Sequence, residues 1–132
     1  MTAWTCPICG TGIANAAGSG RHLSRHPTGT IERQDLRLWL AVAFADRVAV
    51  DRAADQVIAR KDPGALHSDD RLAVGVVCVQ RGRRSSALTR LGMNWATQRH
   101  LIHMVDNDLL PEIGCYELPP GVHYIDNDKA TA

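Results

Sequence analysis

The sequence predicts a mainly α-helical protein with one small β-hairpin. Apolar residues recur at helical spacing in several stretches between residues 31 and 106. Two short β-prone runs, 115–118 and 122–125, flank Pro119-Pro120-Gly121 and read as a hairpin. Ahead of both, two cysteines and two histidines are spaced as ligands of one ion. At 132 residues the chain is long enough for one ordinary domain and a small appendage.

Composition narrows the class. With 45% hydrophobic and 22% charged residues the chain is globular. It has no run of about twenty apolar residues, so no membrane span is expected. The start, MTAWTCPICG, lacks the basic segment and apolar core of a signal peptide, and a cytoplasmic location is expected. In that compartment paired cysteines serve metals or catalysis more often than disulfides. The formal net charge is +1, far from the strongly basic balance of many nucleic-acid binders. Residues 1–30 carry two arginines and no acid, 31–68 carry six charges of each sign, and 69–132 carry seven basic and eight acidic residues. Any nucleic-acid surface must therefore be a local patch.

The first element is the ligand set. Cys6-x2-Cys9 is followed by twelve residues and then His22-x3-His26. Two thiolates two residues apart can grip one ion from a tight turn, which Pro7 and Gly10 favour. Two histidines four apart project from one face of a helix. Together they would close a tetrahedral Zn²⁺ shell of the structural kind. Cys78 and Cys115 lie in apolar stretches and read as buried thiols.

Residues 4–27 resemble the C2H2 zinc finger family in ligands and spacing. Ile13 stands where that family usually has its first core aromatic, and Ser19 where it usually has a core leucine. The stretch GTGIANAAGSGR between the ligand pairs is poor in core formers, so metal is expected to supply most of this subdomain's stability. Small residues occupy the family's base-reading positions, and base reading does not carry over. Arg21 and Arg25 can touch phosphates, and the finger is also a candidate surface for a protein partner.

After a short linker, Thr30 with Glu32 and Asp35 marks a helix start. Residues 31–61 read as one long helix or as two with a bend near Asp46. LRLWLAVAFA, residues 36–45, is apolar nearly all round and is expected to be buried. Its Leu36, Leu38, Trp39, Val42 and Phe44 offer more apolar surface than one small core needs, which suggests a homodimer through residues 31–60. Asp62-Pro63-Gly64 ends the segment. Ser68-Asp69-Asp70 starts the next helix. Its run LAVGVVCV is strand-like in composition, but Leu72, Val76 and Val79 fall at helical spacing, and Gly82 stops it.

Ser85-Ser86 caps a short helix at 87–91, Gly92-Met93-Asn94 turns, and a second helix runs from about Trp95 to Asp106. Trp95, Gln98, Leu101, Ile102, Val105 and Leu109 share one face of it. Ala96, Arg99, His100, His103 and Asn107 share the other. Arg99, His100 and His103 thus face outward, and Asn94 and Thr97 sit at the helix start, where side chains first enter a major groove. Arg81, Arg83 and Arg84 around Gly82 form the densest basic spot, placed for a phosphate clamp.

Helix, glycine turn, helix and hairpin resemble the winged helix-turn-helix family over residues 69–126. The text LTRLGMNWATQRHLIHMVDNDLL looks like repressors of the arsenic-resistance and multiple-antibiotic-resistance type. Gln98 departs from the aliphatic residue usual there, and the wing has no Arg or Lys between Cys115 and Asp128. The resemblance implies double-stranded DNA as partner. The expected organisation is a zinc finger over 1–29, connecting or dimerisation helices over 30–66, a winged helix-turn-helix over 67–126 and a tail over 127–132. The expected function is a zinc-containing, DNA-binding transcriptional regulator. The rival is a protein-interaction module, an adaptor or inhibitor built on the same scaffold. No phosphate-cradling loop, nucleophile elbow or open metal position is evident, so enzymatic activity is not expected.

Overall fold

In a computed structural model, which describes residues 4–14, 16–26 and 31–124, the chain runs through a two-stranded hairpin and then six helices. Strands β1 (Trp4–Thr5) and β2 (Gly12–Ile13) pair antiparallel, Trp4 opposite Ile13 and Thr5 opposite Gly12. Helices α1 (Ala16–Leu23), α2 (Arg33–Ala43), α3 (Arg47–Ile58), α4 (Ser68–Gln80), α5 (Ser85–Arg90) and α6 (Trp95–Asp106) follow. The class is as the sequence predicts: mainly α with a small hairpin. None of the described helices is long and apolar enough to cross a membrane.

Local chemistry sets the helix ends. Residues 31–61 form two helices because Asp46 caps the second, its carboxylate accepting from the Val48 and Ala49 amides. Asn94 caps α6 in the same way, accepting from the Thr97 amide. Helix α4 ends where Gly82, at φ +80°, donates to the Val79 carbonyl while Arg83 donates to Cys78. Gly92, at φ +79°, closes α5 with the same pattern. The expected start at Thr30 lies outside the described residues, and Glu32 occupies the cap position of α2.

Helix α4 is the hub. Ala73 through Val79 are all buried, enclosed by α2, α3, α5 and α6. That explains why LAVGVVCV is apolar without amphipathic spacing and still helical: helices cover it on every side. Gly75 makes the closest packing possible. A Cβ there would stand 2.7 Å from Met93 Cε, 3.0 Å from Leu88 Cδ2 and 3.2 Å from Leu101 Cδ1. Helices α5 and α6 therefore seat on α4 over a glycine notch. No division between cores falls at 66/67, since α2 and α3 line the same core as α4–α6.

A second core lies between the finger and the bundle. Ile8, Leu23, Leu36, Leu40 and Val122 are buried there with Cys6 and Cys9. Helix α2 faces both cores, Leu36 and Leu40 toward the finger and Leu38 and Val42 toward α4. Most of the apolar side chains of residues 36–45 are thereby covered within one chain. Leu36, Leu38 and Val42 are buried within one chain, and Trp39 is half-buried with its indole N–H donating to the Glu117 carbonyl. Phe44 alone of the five is exposed, and it meets Tyr116 edge to face at 5.8 Å.

The hairpin is not where the C-terminal sequence placed it. Residues 115–124 contain no strand, and Ile125 lies outside the described residues. Gly114 and Tyr116 spend their amides on the Val42 and Ala43 carbonyls at the end of α2. Pro119 and Pro120 have no amide to give to a ladder. The expected wing is instead a strap that runs from α6 past α2 to bury Val122 against the finger.

Gly75→Val is expected to destabilise the fold by roughly 2 kcal/mol or more, because overpacking a closed core costs about 1–3 kcal/mol and β-branching adds a helix penalty. Urea unfolding of the variant beside wild type measures it. An unchanged midpoint would mean that the notch does not set the α4–α6 distance.

Candidate functional site

The four expected ligands converge. Cys6 and Cys9 lie on the turn between β1 and β2, where Gly10, at φ +76°, donates to the Cys6 carbonyl and the Cys6 amide donates to Thr11. His22 lies on α1 and His26 just past its end, on the turn made by the Arg25 and His26 amides. Cys9 Sγ is 3.1 Å from His22 Nε2, Cys6 Sγ is 3.6 Å from His26 Nε2, and the two Nε2 atoms are 3.0 Å apart. All four donor atoms fall within 4.8 Å of one another. A tetrahedral zinc shell has ligand–ligand edges of roughly 3.3–3.8 Å, from Zn–S and Zn–N bonds of about 2.3 and 2.0 Å. The residues thus fit zinc in donor type, number and spacing, and they could hold such an ion.

Burial acts on the charge state of Cys6, His22 and His26. Both thiols are buried, and burial pushes Cys6 up to about 11. Burial also lowers His22 and His26, helped by the Arg25 charge at His22 and by His22 itself at His26. Neutral imidazoles are the ligating form, and a divalent ion would supply the charge that two buried thiolates need. The Thr11 hydroxyl, 3.0 Å from Cys9 Sγ, is placed to donate to that thiolate. Two residues beyond Cys9, it could have been suspected from spacing alone. Among the described residues these four form the one such ligand cluster, and Cys78 stays buried in the bundle.

The basic spot is dispersed. Arg81 is engaged by Asp55 and lies 3.5 Å from Asp51, both on α3. Arg84 makes a two-pronged pair with Asp106 at 2.8 and 2.9 Å, which raises the arginine and holds the carboxyl below its usual range. Arg83 is exposed. Because two of the three are neutralised by carboxylates far away in sequence, the expected clamp is reduced to Arg83. The sequence could not show this, since the partners come from α3 and α6.

Helix α6 keeps most of its expected faces, with Gln98, Ile102 and Val105 half-buried beside Leu101 and with Ala96, Arg99, His103 and Asn107 outward, but Trp95 and His100 change sides. Leu101 and Met104 are its buried residues, while Trp95 is 69% exposed and Leu109 45% exposed. His100 turns inward, its Nε2 3.0 Å from Asp35 Oδ1 on α2, within ion-pair range but out of line for a hydrogen bond. The outer face is Trp95, Ala96, Arg99 and His103, with the Arg99 guanidinium 4.6 Å above the Trp95 ring. His103 shares contacts with Asn107 one turn on. Thr97 is half-buried at the helix start, and Asn94 spends its oxygen on the cap. Gln98, the departure from the aliphatic pattern, ties the two helices together by donating to the Met93 carbonyl at 2.9 Å and to Thr89 Oγ1 at 3.2 Å.

No known protein family, curated protein or solved structure matches this chain.

Leu36→Ala, which removes no ligand, is expected to lower zinc affinity at least tenfold. Such a truncation typically costs about 2–5 kcal/mol, and 1.4 kcal/mol of it passed to the finger suffices for a factor of ten. Competition with a chromophoric chelator checks this, with Cys9→Ser as the variant that loses a ligand outright. Equal zinc affinity in Leu36→Ala and wild type would show that the finger folds without α2.

Proposed function

We propose that the chain is a zinc-containing DNA-binding protein, a transcriptional regulator that lays the outer face of α6 into a major groove. The observation that carries this reading is the presentation of α6. Twelve residues long, it is anchored on one side by Leu101 and Met104 and locked to α5 by Gln98. Trp95, Ala96, Arg99 and His103 are left facing solvent. Arg99 can address the O6 and N7 edge of guanine, and stacking on Trp95 limits the conformations it must give up. Small Ala96 beside it permits close approach to the groove floor. The helix-turn-helix pair supports the reading, and with no strand among residues 115–124 recognition rests on α6 and its neighbours.

In this reading Cys6, Cys9, His22 and His26 would hold zinc in a structural role. A closed set of four protein ligands leaves no position for a substrate, which favours a scaffold over a catalyst. The ion would fix α1 and the β-turn against α2, and these residues would shape the surface beside α6.

A second reading has its own support. Arg81 and Arg84 are already paired, and Trp95 is a large exposed aromatic of the kind that anchors protein interfaces. Under it the same face of α6 docks a partner protein.

Salt and one substitution separate the two. Wild type is expected to shift mixed duplex fragments at about 50 mM salt and to lose affinity steeply as salt rises. Arg99→Ala is expected to cost about 1–3 kcal/mol on the preferred site, roughly 5- to 150-fold in affinity. Full affinity in Arg99→Ala would place the reading surface elsewhere. Absence of any shift at low salt would transfer the assignment to the protein-binding reading.

A further inference from the structure

Two clefts bordered by α2 gather several arginines. A cleft of about 390 Å³ between α1 and α2 is lined by Arg21, Arg33 and Arg37 with Gly20 and Gln34. A second, of about 260 Å³, lies between α2, α4 and the α5–α6 turn, and Arg37 and Arg71 line it beside Asn94 and Thr97. Arg37 belongs to both, so the two clefts form one track from the finger helix to the start of α6. Arg37 is itself paired with Asp69 at 3.2 Å, so Arg21, Arg33 and Arg71 are the exposed cations of the track, and Asp35 lies against His100. Asp69 and Asp70 line a separate hollow with Trp4 and Phe44.

We infer that this track holds the phosphate backbone of the same DNA duplex whose groove α6 enters, so that finger and helix pair grip one strand together. The inference rests on the DNA reading of α6. Charge complementarity selects the occupant, since the track is cationic while the whole chain is near neutral. The Arg33 guanidinium also donates to the Gly20 carbonyl at 3.3 Å, tying α1 to α2. Helix α1 carries the ligand His22, so the metal centre sets the finger end of the track. Polar Asn94 and Thr97 at its other end hand the backbone to α6.

The test is fluorescence anisotropy of a labelled mixed-sequence duplex with the full zinc-loaded chain, titrated across salt. Wild type, Arg33→Ala/Arg71→Ala and Arg99→Ala are compared, with matching thermal melts and with Arg33→Gln/Arg71→Gln as a milder pair. The double variants are expected to bind every duplex more weakly and to lower the log–log salt slope by about 1.8, the share of two phosphate contacts. Arg99→Ala is expected to lower discrimination between duplexes more than the slope. If wild type binds duplex and both double variants keep its slope, the track does not carry phosphates, while the α6 reading stands. If wild type binds no duplex, the α6 reading fails and the track falls with it. Displacement of the duplex by poly-glutamate at equal charge would make the track a general anion surface and overturn the proposal.

Discussion

An eight-residue helix and a hairpin of two-residue strands cannot enclose a hydrophobic core, and the rest of the fold is arranged around that deficit. Ile8 and Leu23 are fully buried only because Leu36 and Leu40 of α2 and Val122 of the strap reach them. Each fully buried aliphatic side chain contributes about 1.5–3 kcal/mol, a sizeable amount for so small a unit. The finger is therefore not a free module on a linker. Its core is completed by the bundle of the same chain, and Cys6 and Cys9 are part of that shared packing. Any metal held by Cys6, Cys9, His22 and His26 would therefore be coupled to the folding of this unit and to the position of α2. Ser19, buried where a finger would carry leucine, is tolerated because the missing apolar volume comes from α2.

Sharing α2 between two cores has a further effect. A helix apolar on one stripe would leave polar groups for solvent along the remainder, but α2 buries Leu36 and Leu40 on one side and Leu38 and Val42 on the other. Its remaining charged positions are few, and they are directed. Arg33 and Arg37 face the finger and the α5–α6 turn, and Asp35 meets His100. The strap covers the end of α2 through the Gly114 and Tyr116 amides. What resembles the wing of a winged helix in sequence is thus spent on holding the second core shut. Among the described residues no wing flanks the helix pair, and α6 presents Trp95 and Arg99 outward.

Charge follows the same logic. Near-equal numbers of basic and acidic residues give a weak net charge, yet the pairing is uneven. Asp51, Asp55 and Asp106 occupy Arg81 and Arg84, whereas Arg21, Arg33 and Arg71 line the clefts beside α2. The densest basic spot in the sequence is the most neutralised in space, and the basic track is assembled from three helices that no window of sequence brings together. The i, i+4 placement of Arg33 and Arg37 on α2 was its one visible trace.

What the sequence by itself determined are the features that depend on neighbours within about four residues. The ligand set of Cys6, Cys9, His22 and His26 is legible because a tight turn and one helix face fix donor geometry locally. So are the break at Asp46, the glycine ends of α4 and α5, and the span of α6, because caps and left-handed positions act on adjacent backbone groups. Only the tertiary structure decided which faces those helices bury. Trp95 and His100 exchanged their expected sides because the glycine notch of α4 receives Leu101 and Asp35 waits on α2. It also decided that residues 115–124 form a strap, since the carbonyls at the end of α2 and the gap beside Ile8 offered more than a self-paired ladder broken by two prolines. Those choices turn on contacts between residues far apart in the chain, from Gly75 with Leu101 to Ile8 with Val122, and local periodicity contains no record of them.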